Sequence, residues 1–406
     1  MLHFNIKREN KNKKKKLKFN LGEVIVIMVI TAICAITITI KVTYTINNTS
    51  KKIKTETDLA EFISIYDSIT DGYYEEVNKE EMISSAIGAM LDYLDDPYSS
   101  YLDAEAAELL NQELNGEYEG IGAKIKLSQK KFIISEVFEN SPSEISGLKV
   151  DDIILKIGDI SISNKTLEEV SDLIKKQNNK EFTMTIKRKE QEMLVTIKRS
   201  KVDLKSVEYK TIVKDNKDVG IITINIFAKN TYSQFKKVIE NIDFNKTKSI
   251  IIDLRNNKGG YLTTATSIAE MFLNKNDIIY QTSTKKGTKK IINKKEKQVN
   301  AKVVVLVNGS TASASEILSA TFKENLGSEI VGVKTYGKGT VQQTKQLSSG
   351  AMIKFTIENW LTPSGEKIDQ KGIMPTVEVK LNEKYYKNPN DSNDTQLQKA
   401  VEIAVK

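Results

Sequence analysis

The fold class predicted by this 406-residue sequence is an α/β core with an inserted β domain, preceded by an amino-terminal helical region and one transmembrane helix. Three observations lead there. From Val219 onward, apolar strand-like runs alternate with segments of helical period; from Gly120 to Arg199, short runs rich in β-branched residues follow one another; and Val24 to Ile40 is an apolar stretch without charge. A chain of this length suits two or three domains.

Residues 1–20 form a basic tail. Residues 1–19 hold eight Lys/Arg against one Glu, or +7 of the formal +8 charge, so the remainder is nearly neutral and argues against nucleic acid as a partner. Residues 21–46 are expected to be a membrane anchor. The 17 residues from Val24 to Ile40 reach ~25 Å as a helix, Val42 to Ile46 lengthens the span, and Lys41 can snorkel. The lysines ahead of it place the amino terminus in the cytoplasm and everything after Tyr44 outside. A cleavable signal peptide is the alternative, but Lys41, Val42, Thr43, Tyr44 and Thr45 follow without a small-residue cleavage pattern.

Residues 47–113 read as a polar linker, NNTSKKIKTE, and then helices with apolar positions at Leu59, Phe62, Ile63 and Ile65, and at Met82, Ile87, Met90 and Leu94. The second helix is expected to stop at Asp95-Asp96-Pro97, because proline disfavours helix in the residue before it. Residues 114–200 supply the β domain, with AKIKL, KFIISEVF, IILKI, FTMTIKR and MLVTIKR as strands and Leu167 to Lys176 as its helix. Residues 201–380 form the core, whose alternating strands and helices predict a largely parallel, buried sheet. Residues 381–406 are polar before a last amphipathic helix, Leu397 to Val405.

The scarce residues restrict the chemistry. The single cysteine, Cys34, and the single histidine, His3, both lie in the first 34 residues, which excludes an internal disulfide, a zinc site of His/Cys type and a hydrolase built on Ser/His/Asp or Cys/His. The base of any hydrolase here is Lys, Asp or Glu.

Three core segments invite a catalytic reading. In VVVLVNGSTASASE, Ser313 stands at a helix start, where the helix dipole favours a developing anion; with Glu316 three residues on, it also fits a capping box. In VKTYGKGTVQQT, Lys338 lies between Gly337 and Gly339, a solvated cation on a turn or, if buried enough to lose its proton, a base. In SIIIDLRNNKGGYL, Gly259 and Gly260 precede a helix and could present N–H groups to an anion.

Together these blocks resemble the carboxyl-terminal processing peptidases, serine/lysine proteases whose S-A-S-E, G-K-G-T and glutamine positions correspond here to Ser313, Lys338 and Gln342. The resemblance runs from about Leu59 to Lys406 and includes LDDPYSSYLD and LTPSGEKIDQKGIMPTVEV. It implies a crotonase-like protease core with Ser313 as nucleophile, Lys338 as base and Gln342 orienting it. The oxyanion hole would come from the N–H groups of Gly259, Gly260 and Ala314, and no cofactor or metal is required. Lys258 departs from the family's small residue before the glycine pair. The β domain resembles a PDZ domain, in which Gly120, Ile121 and Gly122 would bind a peptide's terminal carboxylate. Exported proteins with nonpolar carboxyl-terminal tails are the implied substrates. The family also implies homodimers built on terminal helices, with Leu397 to Val405 as one candidate. The rival readings are a noncatalytic PDZ scaffold on a dead protease fold and a crotonase-like acyl-CoA enzyme.

Overall fold

Successive residues of a strand point to opposite faces, and the apolar strands of the core use both. A computed structural model describes residues 59–177 and 181–406. In it, six strands run Val207–Lys214, Lys217–Ile224, Thr247–Asp253, Lys302–Val307, Glu329–Gly332 and Val377–Glu378 across one sheet. The first pair is antiparallel and every later pair parallel. On one face, Ile250, Ile252, Val303 and Val305 pack beneath the helices Thr231–Asn241, Leu262–Glu270 and Ala314–Leu326, through Phe235, Ile268, Ile317 and Phe322. On the other, Ile251, Val304 and Leu306 meet Leu397, Ala400, Val401 and Ala404 of the helix Thr395–Val405. That last helix therefore packs its apolar face onto the sheet as part of the core.

A second sheet was not legible in the sequence. The strand Met352–Leu361 pairs antiparallel with Ser100–Leu102, Ile278–Thr284 and Thr340–Gln346, and Gly287–Ile292 extends the sheet beyond Ile278–Thr284. The block LDDPYSSYLD thus holds an edge strand of this sheet. The helix expected to reach Asp95 ends earlier, at Asp92. After the strand, Asp103 caps the helix Ala104–Asn115 by accepting from Ala106 N–H at 2.8 Å.

The β domain has its own core of Phe132, Ile134, Ile154, Val170, Met184 and Ile197. Its sheet runs in the order Ala123–Ser128, Lys131–Val137, Ile153–Ile157, Glu181–Arg188, Gln191–Lys198, and the helix Leu167–Lys175 packs against it. The separate pair Glu117–Gly120 and Ser200–Asp203 joins the ends of the domain.

The chain divides into two units, residues 1–86 and 87–406. Of the first, residues 59–72 are helical. The expected anchor, residues 21–46, lies outside the described residues; among those described, no helix is long and apolar enough to cross a membrane.

Candidate active site

Strand Lys302–Val307 ends in a turn that Thr311 pins, its hydroxyl donating to Leu254 O at 2.9 Å and accepting from Asn308 N–H at 2.9 Å. The chain then enters the helix Ala314–Leu326 through Ser313, whose φ of 57° and ψ of −121° are sparsely populated for a residue with a side chain. Half of the capping box forms. Glu316 Oε2 accepts from Ser313 N–H at 2.9 Å, whereas Glu316 N–H donates to the Ser313 carbonyl at 2.8 Å and the hydroxyl makes no cap bond. The hydroxyl is thus left for other work. Ser315 is buried and donates to Asn257 O at 3.0 Å, while Ser313 remains partly accessible.

Glu316 is a residue that the sequence reading assigned only to the cap. Fully buried, its carboxylate accepts from Thr335 Oγ1 at 2.5 Å, Gly337 N–H at 2.7 Å, Lys338 N–H at 2.9 Å and Ser313 N–H at 2.9 Å. One side chain therefore ties the serine to the lysine segment. Burial raises its pKa, and the four hydrogen bonds oppose that shift.

Lys338 is half-buried. Its carbonyl accepts from Trp360 Nε1 at 2.8 Å, and its Nζ lies 5.0 Å from the centre of the Tyr98 ring. Its flanking glycines are required: Gly337 has φ of +92°, and a Cβ on Gly339 would stand 2.3 Å from Asp369 N. Burial, helped by the charge of Lys354, lowers the Lys338 pKa to about 8, against the pull of Asp96 and Glu316. Tyr98 is positioned by Asp96, whose carboxylate accepts from Tyr98 N–H at 3.1 Å and Ser99 Oγ at 2.6 Å. Among the described residues no hydrogen bond joins the Ser313 hydroxyl to Lys338 Nζ.

Two expected roles change. Gln342 Nε2 donates to Thr340 Oγ1 at 2.7 Å and Thr356 Oγ1 at 3.2 Å, so here it braces two strands and does not hold Lys338. Gly259 N–H is occupied by Asn257 Oδ1 at 2.8 Å, which removes it from the anion donors. The contribution of Gly259 is space: a Cβ there would stand 2.9 Å from Ser313 Cβ. Gly260 and Ala314 N–H groups have no partner among the described residues. Asn257, fully buried, also donates to Ile224 O at 2.8 Å and accepts from Ala312 N–H at 3.0 Å, locking the glycine turn to the serine loop.

In the β domain, Ile121 N–H has no partner among the described residues. Gly122, at φ of +72°, leaves no room for a side chain beside Ser141, and Gly120 lies under the Tyr118 ring. The Gly122 N–H faces the Tyr118 hydroxyl, whose pKa burial raises. The three expected carboxylate donors are therefore not equally open, because Tyr118 covers Gly122.

Residues 218–379 match the profile of peptidase family S41, residues 133–188 that of a PDZ domain, and residues 32–106 that of the N-terminal domain of the activating protease CtpB. A "Probable CtpA-like serine protease" of Staphylococcus aureus strain MRSA252 is 35% identical over 327 residues, covering 80% of this chain and 65% of that protein. Its counterpart in Staphylococcus haemolyticus strain JCSC1435 is 34% identical over 317 residues, 77% of this chain and 63% of that one. The chain thus spans just under two thirds of the length of these relatives. A solved structure of a "Putative S41 protease" from Bacteroides fragilis NCTC 9343 shares the fold, with a TM-score of 0.50 and 18% identity over 78% of this chain and 89% of that one. The chain belongs to peptidase family S41 and carries a PDZ domain ahead of its S41 core.

Proposed function

We propose that this chain is a serine endopeptidase of carboxyl-terminal processing type, held at the outer face of the cell membrane by residues 21–46. The observation that carries the reading is the buried Glu316 carboxylate, whose single oxygen Oε2 accepts from both Ser313 N–H and Lys338 N–H beside a lysine whose pKa is lowered to about 8. Neutral Lys338 takes the Ser313 proton as the hydroxyl oxygen attacks a peptide carbonyl. The Ser313–Lys338 hydrogen bond is made with substrate in place, as catalytic hydrogen bonds often tighten only in the complex. Gly260 and Ala314 N–H groups receive the oxyanion, each worth about 3 to 4 kcal/mol in the transition state. Protonated Lys338 gives its proton to the leaving amine, and water then hydrolyses the acyl-serine.

Substrate tails enter along the strand Ala123–Ser128, their carboxylate toward Gly120, Ile121 and Gly122, with Tyr118 moving aside. Assembly as a homodimer through the helical residues 59–72 belongs to the same proposal.

Ser313→Ala and Lys338→Ala are each expected to abolish cleavage of a protein with a nonpolar tail while leaving the circular dichroism spectrum unchanged. A fluorophosphonate probe should label the native chain and not Ser313→Ala. Absence of labelling in the native chain, with tail binding intact, would instead identify a noncatalytic scaffold.

A further inference from the structure

We infer that the peptide groove of the PDZ domain selects tails carrying Lys or Arg close upstream of an apolar carboxyl-terminal residue. This rests on the tail-binding role proposed above and adds a charge preference to it. Among the described residues the strand Ala123–Ser128 is the edge of its sheet, paired on one side only, so its other edge can take an added strand. A groove of about 740 Å³ runs beside it, with Ile121, Ile125 and Ile174 among its apolar lining.

The charged lining is one-sided. Glu105, Glu168 and Asp172 face the groove, and Lys175, 4.0 Å from Asp172, is its only cation among the described residues. Glu105 and Glu168 have no ion-pair or hydrogen-bond partner among the described residues. The lysines of the edge strand do not offset them. Lys124 and Lys126 alternate with Ala123 and Ile125 and point to the other face, where Lys124 pairs with Glu136 at 2.7 Å.

The spacing fits an extended peptide. Glu168 and Asp172 are one turn apart on the helix Leu167–Lys175, or about 6 Å at 1.5 Å per residue, close to the distance between residues two apart in a strand at about 3.3 Å each. Side chains two apart in a strand share a face, so one or two basic residues in alternating positions can meet these carboxylates. Glu105 comes from outside the PDZ domain. It sits in the first turn of the helix Ala104–Asn115, directly after the edge strand Ser100–Leu102 of the second core sheet. The groove is therefore built jointly by the PDZ domain and a segment tied to the protease core.

The test uses the full chain bearing Ser313→Ala in mild detergent, with fluorescent peptides that share an apolar last residue and differ upstream by Lys, Ala or Glu at the second, third or fourth position from the end. Fluorescence polarisation is expected to show Lys peptides binding roughly three- to tenfold more tightly than Ala peptides, and Glu peptides more weakly, with the difference shrinking at high salt. Glu168→Lys and Glu105→Lys, both exposed substitutions, should reduce or reverse the preference. Tail binding without any charge preference, or a preference unmoved by both variants, overturns this inference alone. If no peptide binds, or carboxamide-ended peptides bind as well as free acids, the tail-binding role fails as well.

Discussion

At the residue scale the pH dependence belongs to Lys338. With its pKa lowered to about 8 by burial and Lys354, kcat/KM should rise with pH along a limb of midpoint near 8, as the neutral amine becomes available. The stability effect has a definite sign. Between the lowered folded value and the ordinary lysine value the unfolded chain holds more protons, so folding stability increases with pH across that window and the penalty of the buried charge is complete below it. Lys338→Met should therefore raise the melting temperature at neutral pH while eliminating cleavage; a variant that is both inactive and less stable would disprove the burial argument. Glu316→Gln turns an amide toward Ser313 N–H and Lys338 N–H and leaves at least one buried donor unpaired, a cost of about 1–3 kcal/mol. Its kcat should fall more than its KM changes, since the proposed tail binding lies in another domain.

At the scale of elements, the site depends on turns that only glycine can make. Gly260 has φ of +130°, and a Cβ there would lie 2.4 Å from Phe227 O, where neighbouring Tyr261 N–H already donates to the same carbonyl at 2.6 Å. Gly260→Ala is thus expected to cost about 1–3 kcal/mol in urea unfolding and to displace one of the proposed oxyanion donors, lowering kcat at a temperature where the variant is still folded. The helix Ala314–Leu326 has the opposite character. Its first nine residues are all buried, so its start is fixed by packing and by Glu316 more than by its cap.

For the whole molecule, the last helix is the element that closes the core. Asp394 accepts from Arg255 Nη1 at 2.8 Å and from Leu397 N–H at 2.9 Å, serving at once as ion-pair partner and helix cap, while Arg255 also binds Asp253 at 2.7 Å at the end of a central strand. Asp394→Ala leaves Arg255 with one carboxylate and the helix uncapped, a loss of about 3–5 kcal/mol by the usual cost of breaking a buried pair. Chemical denaturation should show it, and activity at low temperature should persist, because Asp394 touches none of the proposed reacting groups.

How much was legible follows from the range of each interaction. The parallel strands could be read because burial on both faces writes continuous β-branched runs such as KVVVLV, found at Lys302–Val307. The second sheet could not, since its strands TVQQTKQ and MIKFTIENWL alternate weakly and derive their stability from partners far along the chain. The same distance in sequence hid Tyr98 beneath Lys338 and Trp360 against its carbonyl. By itself, the sequence determined which residues could carry chemistry: the absence of histidine and cysteine after Cys34, and the blocks around Ser313 and Lys338, limited the base and nucleophile to a few positions. Only the tertiary structure decided how those positions are held. It gave Glu316 to both segments, directed Gly259 N–H to Asn257 and Gln342 to two threonines, and buried Lys338 deeply enough to lower its pKa. Hydrogen-bond partners and desolvation are set by what packs against a residue, and that is fixed when the sheets assemble.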